Sequence, residues 1–253
     1  MAHLEINCFI SSFINYIDCL YKNSNVLEIG SYDVNGSIRA NFNFHSKYTG
    51  VDLIPGPSVD VVSKGHLFKS SKRFDIILSI ESFEHNIYWK ETFLNMINLC
   101  SDDGIIIFTC ATKGRLEHGT YRTDPISSPG TSLKDNSYYF NLTRKDFEEA
   151  FNFKEHFVTY NFYVNNLTKD LYFFGLKSNK KISEEKALKI FDEAINNSIA
   201  IRKKIHLLSY YLLRIFYFML CPFYTYLSER AYQNVTYLPY KKLKAIISKI
   251  SRV

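Results

Sequence analysis

The chain has 253 residues, 46% apolar and 22% charged, with a formal net charge of +6. These values fit one generous domain, or one domain with an appendage, and exclude a disordered or collagen-like chain. Its five cysteines are odd in number, without CxxC pairing or His/Cys metal spacing. That argues against a disulfide framework or zinc module and for a reduced, intracellular protein.

In chain order, the N-terminus MAHLEINCFI has no basic stretch ahead of its apolar residues and carries Glu5, so no signal peptide is expected. Leu4, Phe9, Phe13, Ile17 and Leu20 share one helical face over residues 3–21. Val26–Ile29 is expected as a first strand and Tyr48–Asp52 as a second, closed by Pro55-Gly56-Pro57. Val59–Val62 is a short third, Phe74–Ser79 a fourth and Gly104–Thr109 a fifth. Before the fifth, Trp89, Phe93, Met96 and Ile97 stand at helical spacing, and Ser101–Gly104 ends that helix. Strands alternating with helices predict right-handed crossovers and a parallel sheet, and continuous Ile/Val runs predict strands buried on both faces.

Residues 111–142 are rich in Gly, Ser, Pro, Asn and Tyr without a period, a long loop of the functional or disordered kind. Thr143-Arg144-Lys145-Asp146 is a capping-box variant opening a short helix to Phe151. Phe157–Tyr163 and Leu171–Leu176, joined through Asn165-Asn166, predict a hairpin closing the sheet edge.

In a doubly wound sheet, ligands bind above the carboxyl ends of the strands, near the switch point. Glu28, Gly30, Asp52, Glu81 and the loop after Thr109 fall there. The stretch VLEIGSYDVNGSIR, residues 26–39, carries only Gly30 and Gly36, not the G-x-G-x-x-G of a dinucleotide site. Glu28 also puts negative charge where a pyrophosphate would lie. Gly30 permits close backbone approach, and Gly36 relieves, or merely marks, the start of the next helix. Asp52 is placed to accept hydrogen bonds from two ribose hydroxyls. Two acids flanking a glycine turn suit a nucleoside carrying an amino acid, which describes S-adenosyl-L-methionine (SAM).

Four segments in order carry a resemblance: VLEIGSYDVNGSIR, YTGVDLIPGPSVDVV, FDIILSIESFEHNIYW and GIIIFTCATKGRLEHGTY. Over residues 24–178 the chain resembles a class I SAM-dependent methyltransferase domain of the small type 11 kind. The resemblance implies a Rossmann-like doubly wound sheet, mostly parallel, with an antiparallel C-terminal edge strand. It implies SAM as cofactor and no metal. It makes Glu28 and Gly30 part of the methionine-side cradle, while Ser31 to Asn35 either touches the methionine carboxylate or only shapes the turn. Asp52 becomes the ribose ligand with Leu53 against adenine, and Glu81 and Ser82 line the methyl group. Relatives commonly carry an acid where Lys64 falls; lysine cannot accept the adenine amino hydrogen bond, which leaves it to backbone near Gly65 and His66.

Methyl transfer to a hydroxyl needs alignment and a proton acceptor. His118, on the long loop, and His85 are the candidate catalytic bases, each also readable as an ordinary loop histidine. Asp124, before Pro125, reads better as a turn residue. Tyr121, Tyr138, Tyr139 and Phe140 either stack on an acceptor or pack the loop down.

Charge divides the chain. Residues 201–253 hold ten Lys and Arg against one acid, Glu229, whereas the first 200 residues hold 21 basic and 24 acidic residues. Residues 179–253 are therefore expected to form a basic, aromatic-rich helical extension to a methyltransferase domain over 1–178. Within it, Lys203, His206, Tyr210 and Arg214 share one helical face, and Leu208, Leu212, Ile215 and Met219 another. That pattern fits contact with an anionic membrane surface, or docking and dimerisation; Arg214 and Pro222 weigh against a span over 205–227. Nucleic acid is disfavoured as a partner for want of a recognisable RNA module. The leading expectation is O-methylation of a small molecule or glycan precursor by a cytoplasmic enzyme, peripheral to the inner face of the membrane. The alternatives are a non-catalytic SAM-fold scaffold and a tRNA methyltransferase.

Overall fold

A computed structural model describes residues 3–17, 20–21, 23–42, 47–131, 137–237 and 239. Leu4–Ile17 forms helix α1, whose Ile6, Phe9, Ile10, Phe13, Ile14 and Ile17 are buried at helical spacing. Asn25–Ile29 (β1), Lys47–Asp52 (β2), Val61–Val62 (β3), Phe74–Ile80 (β4) and Cys100–Ala111 (β5) pair in parallel. Thr159–Asn165 (β6) and Asp170–Leu176 (β7) form the expected hairpin. β7 inserts antiparallel beside β5, giving the order β3-β2-β1-β4-β5-β7-β6.

Trp89–Leu99 (α2) crosses from β4 to β5, and Arg144–Ala150 (α3) begins at the Thr143 and Asp146 capping box. The helix expected after Gly36 is replaced by one turn of 3-10 helix, Ile38–Asn41, with Ser37 accepting from the Arg39 N–H. The polar loop over 30–36 takes up the front of this crossover. Residues 37–46 are too few for a helix to run back across the sheet and turn again.

Both faces of the sheet are covered. One buries Val26, Leu78, Ile107, Tyr172 and Phe174 against α1. The other buries Leu27, Ile77, Ile106, Phe108 and Phe173 with α2 and α3. Here Phe108 lies stacked between Phe147 at 4.5 Å and Phe173 at 4.7 Å, so the abundant phenylalanines fill the core.

Glu184–Ile205 (α4) lies beyond residue 178 and packs on the sheet layer. Its Ala187, Ile190, Phe191, Ala194 and Ile195 share the core with α1, and the Phe191 ring meets Phe9 at 5.7 Å and Phe174 at 5.9 Å. The helical pattern of α4 is apolar on one stripe, so it belongs to the sheet layer. The packing divides at His206, beyond which Leu207–Tyr226 (α5) leaves most of its apolar side chains in solvent.

Candidate functional site

The strand order reverses between β1 and β4, and the site is built on the turns that leave them. Gly30 has φ +84°, and a Cβ there would stand 2.5 Å from Ser82 Cβ, so a glycine lets the two turns touch. Glu81, closing β4, is held at φ +51°, a strained conformation for a side chain of its size. Its Oε1 is buried without a hydrogen-bond partner.

Glu28 is buried in β1, where the Tyr48 hydroxyl donates to its Oε2 at 2.6 Å. Burial pushes its carboxyl up to about 7 against the pull of that bond. Ser31 Oγ is buried and unpartnered. Gly36, at φ +117°, has open space where a Cβ would go and donates its N–H to Asp33 Oδ1 at 2.6 Å. It therefore serves the turn and neither starts a helix nor makes a close approach.

Asp52 accepts the Tyr32 N–H at Oδ2 (2.9 Å) and the Leu53 N–H at Oδ1 (2.6 Å), which leaves lone pairs on both oxygens. Burial raises its carboxyl and those two bonds oppose the rise. Gly130 of the long loop reaches this edge: a Cβ on it would lie 3.2 Å from Leu53 Cβ and 3.5 Å from Asp52 Oδ1. Gly65 packs against Ile29 and Thr92 and gives its carbonyl to Asn95 Nδ2 at 2.8 Å, occupying one of the backbone groups expected to face adenine. The His66 ring lies 4.3 Å from Tyr88, and the Lys64 ammonium sits 6.0 Å from the same ring.

His85 and His118, remote in sequence, come together. Their ring centroids are 5.1 Å apart, and Tyr139 packs on both, at 5.4 and 5.1 Å. His118 Nδ1 donates to the Leu116 carbonyl at 3.1 Å, which assigns the tautomer and leaves Nε2 with its lone pair, 3.9 Å from Glu84 Oε1. Burial holds His85 down at about 3. Burial, with His85 and Arg115 nearby, also holds His118 well below the usual imidazole range. Both rings are neutral at pH 7. Glu84, fully buried beneath them, is pushed up to about 8 by burial and then by Glu81. Asp124 lies apart in function: it accepts from Ser127 Oγ at 3.1 Å and begins the 3-10 turn Pro125–Ser127.

Sequence reasoning missed Glu84, and it missed a second cluster behind Glu81. There His3 Nε2 lies 2.8 Å from Asp170 Oδ2 and Nδ1 2.9 Å from Glu5 Oε2. Arg202 pairs with Glu5 through two nitrogens, one contact at 2.8 Å, and Arg115 Nη1 stands 3.6 Å from Asp170 Oδ1. The available signals were acids at the edge of apolar runs, Glu5 in LEINCFI and Asp170 in DLYFFGL.

The loop that carries His118 is held from outside. Tyr232, fully buried, donates to the Gly114 carbonyl at 2.7 Å. Gln233 donates to the Arg115 carbonyl and accepts from the Glu117 N–H, both at 2.8 Å. Leu116 also lines an apolar cavity of about 240 Å³ with Phe216, Leu220, Phe223 and Val235.

A protein-family model described as a methyltransferase domain matches residues 3–163, from α1 into β6. The chain belongs to that methyltransferase family. It is a SAM-dependent enzyme of the class I fold. Solved structures share the fold at low identity. The plantazolicin methyltransferase BpumL, in complex with a pentazolic desmethylPZN analog and SAH, aligns at TM-score 0.50 and 14% identity over 69% of this chain and 85% of its own. The 1,6-didemethyltoxoflavin-N1-methyltransferase of Burkholderia thailandensis gives 0.45 and 14% over 68% and 79%. The N-methyltransferase NodS from Bradyrhizobium japonicum WM9 gives 0.46 and 13% over 69% and 88%. No curated protein matches the sequence.

The methyltransferase's own residues fit the cofactor chemically. The Gly30 turn is a cradle that a Cβ would fill, Asp52 has acceptor capacity to spare, and Ser31 Oγ and Glu81 Oε1 are buried polar atoms awaiting partners.

Proposed function

We propose that this methyltransferase methylates a hydroxyl of a small molecule or sugar, such as a glycan precursor. The observation that carries the reading is the pair of neutral imidazoles, His118 and His85, gathered beside Glu84 where the β4 turn meets the long loop. SAM supplies an electrophilic methyl group on a sulfonium. Glu28, Gly30 and Ser31, with the turn shaped by Gly36, hold its methionine end. Asp52 accepts from the ribose hydroxyls, Leu53 and backbone at Gly65 and His66 face adenine, and Glu81 and Ser82 line the reacting side. His118, whose orientation is fixed through Leu116, and His85 behind it activate the acceptor hydroxyl. Titration calorimetry with S-adenosylhomocysteine tests the cofactor side: Asp52→Ala should bind at least tenfold more weakly, from the loss of about 1.5–3 kcal/mol per charged hydrogen bond. Equal affinity would sink the Asp52 assignment. A 13C-methyl-labelled cofactor, with NMR of the product, distinguishes a methoxy carbon from N- or C-methyl products.

A second observation bears on where the enzyme works. α5 exposes Leu208, Leu212, Ile215, Phe218 and Met219, with the basic residues Lys203, Lys204 and Arg214 beside them. Among the described residues no single helix is long and apolar enough to cross a membrane, and the α4–α5 pair is bent by 112°. We read α5 as resting on an anionic membrane surface, at the cytoplasmic side, with a lipid-linked glycan precursor as acceptor. The full chain should float with anionic vesicles and a chain ending at residue 206 should not. Flotation of neither, with a dimer in solution, would assign this face to a second copy instead. Strongly salt-dependent RNA binding would favour a tRNA acceptor.

A further inference from the structure

We propose that Glu84, His85 and His118 bind one divalent transition-metal ion of the zinc or manganese kind. One ligand atom from each lies within 4.8 Å of the other two, and His118 Nε2 is already 3.9 Å from Glu84 Oε1. Ligands sharing an ion at about 2.0–2.2 Å stand about 3–4 Å from one another, so a small side-chain adjustment closes the set.

Three features make this a site and not a chance grouping. Glu84 is fully buried, yet both its carboxylate oxygens lack a hydrogen-bond partner, and so does His85 Nδ1. Such atoms are costly when nothing satisfies them, and an ion held by one atom from each residue would relieve that cost at Glu84 and His85. His118 is held as metal-binding histidines are held, with Nδ1–H on a backbone carbonyl and Nε2 facing inward. The Tyr139 hydroxyl donates to the same Leu116 carbonyl at 3.2 Å, and its ring packs both imidazoles in place.

The neighbouring cluster of His3, Glu81 and Asp170 meets the same distance criterion but differs in kind. Both His3 nitrogens are bonded to carboxylates, and Arg115 pairs with Asp170, so the protein's own cations already serve it. Among the described residues Glu84 has no lysine or arginine within ion-pair distance. Two imidazoles and one carboxylate select a transition metal over calcium or magnesium.

The inference rests on the reading of this corner as the acceptor side. It changes how the histidines act, since as ligands they would not take the acceptor's proton. An open coordination position would hold the acceptor hydroxyl oxygen and lower its pKa, and the proton would leave to solvent water.

The test uses the full chain, stripped with chelator, titrated with Zn2+ and Mn2+ by calorimetry and with Co2+ by visible absorption. Wild type should take up one ion per chain. Glu84→Gln and His118→Gln should bind at least tenfold more weakly and lose the Co2+ spectrum, while all three proteins bind S-adenosylhomocysteine equally. His85→Gln stands in for whichever variant fails to fold. Saturable uptake missing from wild type, or unchanged in the variants, overturns the ion site. If metal binding fails but S-adenosylhomocysteine still binds, only this inference falls; if S-adenosylhomocysteine does not bind, the reading beneath it falls.

Discussion

Gly30→Ala should damage the enzyme in two separable ways. The backbone at φ +84° lies where a side chain costs about 1–2 kcal/mol. The added methyl would also stand 2.5 Å from Ser82 Cβ, and forcing an extra methyl into such a contact costs about 1–3 kcal/mol. Together the substitution should destabilise by about 2–5 kcal/mol, read from urea unfolding of the purified protein. Ser82→Gly removes what the methyl strikes but leaves the backbone strain. In the double variant about 1–3 kcal/mol should therefore return as coupling energy. S-adenosylhomocysteine affinity should follow the steric part alone, because the clash drives apart the β1 and β4 turns proposed to hold the cofactor. An equal cost of Gly30→Ala with and without the Ser82 side chain would refute the steric argument.

Two further outcomes are expected. His3 is opposed by burial, but Asp170 and Glu5 outweigh it and raise the ring from 6.5 to about 9. Its contribution is thus fully present below pH 6.5 and lost as pH climbs through 9; at 1.36 kcal/mol per unit it is worth at most about 3 kcal/mol, and less for a ring still 19% exposed. Glu5 runs the other way: burial is outweighed by Arg202 and His3, which hold it at about 2, so its share is present above 4.5 and lost on acidification. The stability lost in His3→Gln relative to wild type should therefore shrink as pH climbs from 6.5 through 9, and that lost in Glu5→Gln should shrink on acidification below 4.5; a His3→Gln difference that does not change with pH would refute the assignment. Tyr232→Phe removes the bond to the Gly114 carbonyl, worth about 0.5–1.5 kcal/mol, and should quicken amide exchange over residues 114–122 while β1 and β4 keep their protection. Identical exchange in that loop would show that Tyr232 acts only by packing.

The parallel strands were legible because Val26–Ile29, Phe74–Ser79 and Gly104–Thr109 are dominated by Ile, Leu, Val and Phe on both alternating faces, as strands of a sheet covered on both sides are. The sharp turn after β1 was legible from Gly30, which closes an apolar strand and takes φ +84°. What failed depended on chain length in three dimensions: among the described residues the crossover after Gly36 carries one turn of 3-10 helix, Ile38–Asn41, in place of the expected helix. Glu84 escaped notice because an acid in a Phe-Glu-His stretch looks solvated until a 3-10 turn buries it. Asp170 and His3 lie far apart in the chain, and only the insertion of β7 beside β5 places Asp170 at the carboxyl ends of the parallel strands, within reach of α1.

The loop between β5 and α3 touches three things at once: Asp52 and Leu53 through Gly130, His85 through His118, and the C-terminal segment through Tyr232 and Gln233. A body with three contacts obeys linkage. If anchoring of the tail favours one loop position and cofactor affinity depends on that position, the anchored enzyme binds cofactor more tightly by some factor, and cofactor strengthens anchoring by the same factor. In that case reciprocity would tie the hold of the C-terminal segment on the loop to the occupancy of the cofactor site, with no sensor beyond the loop itself.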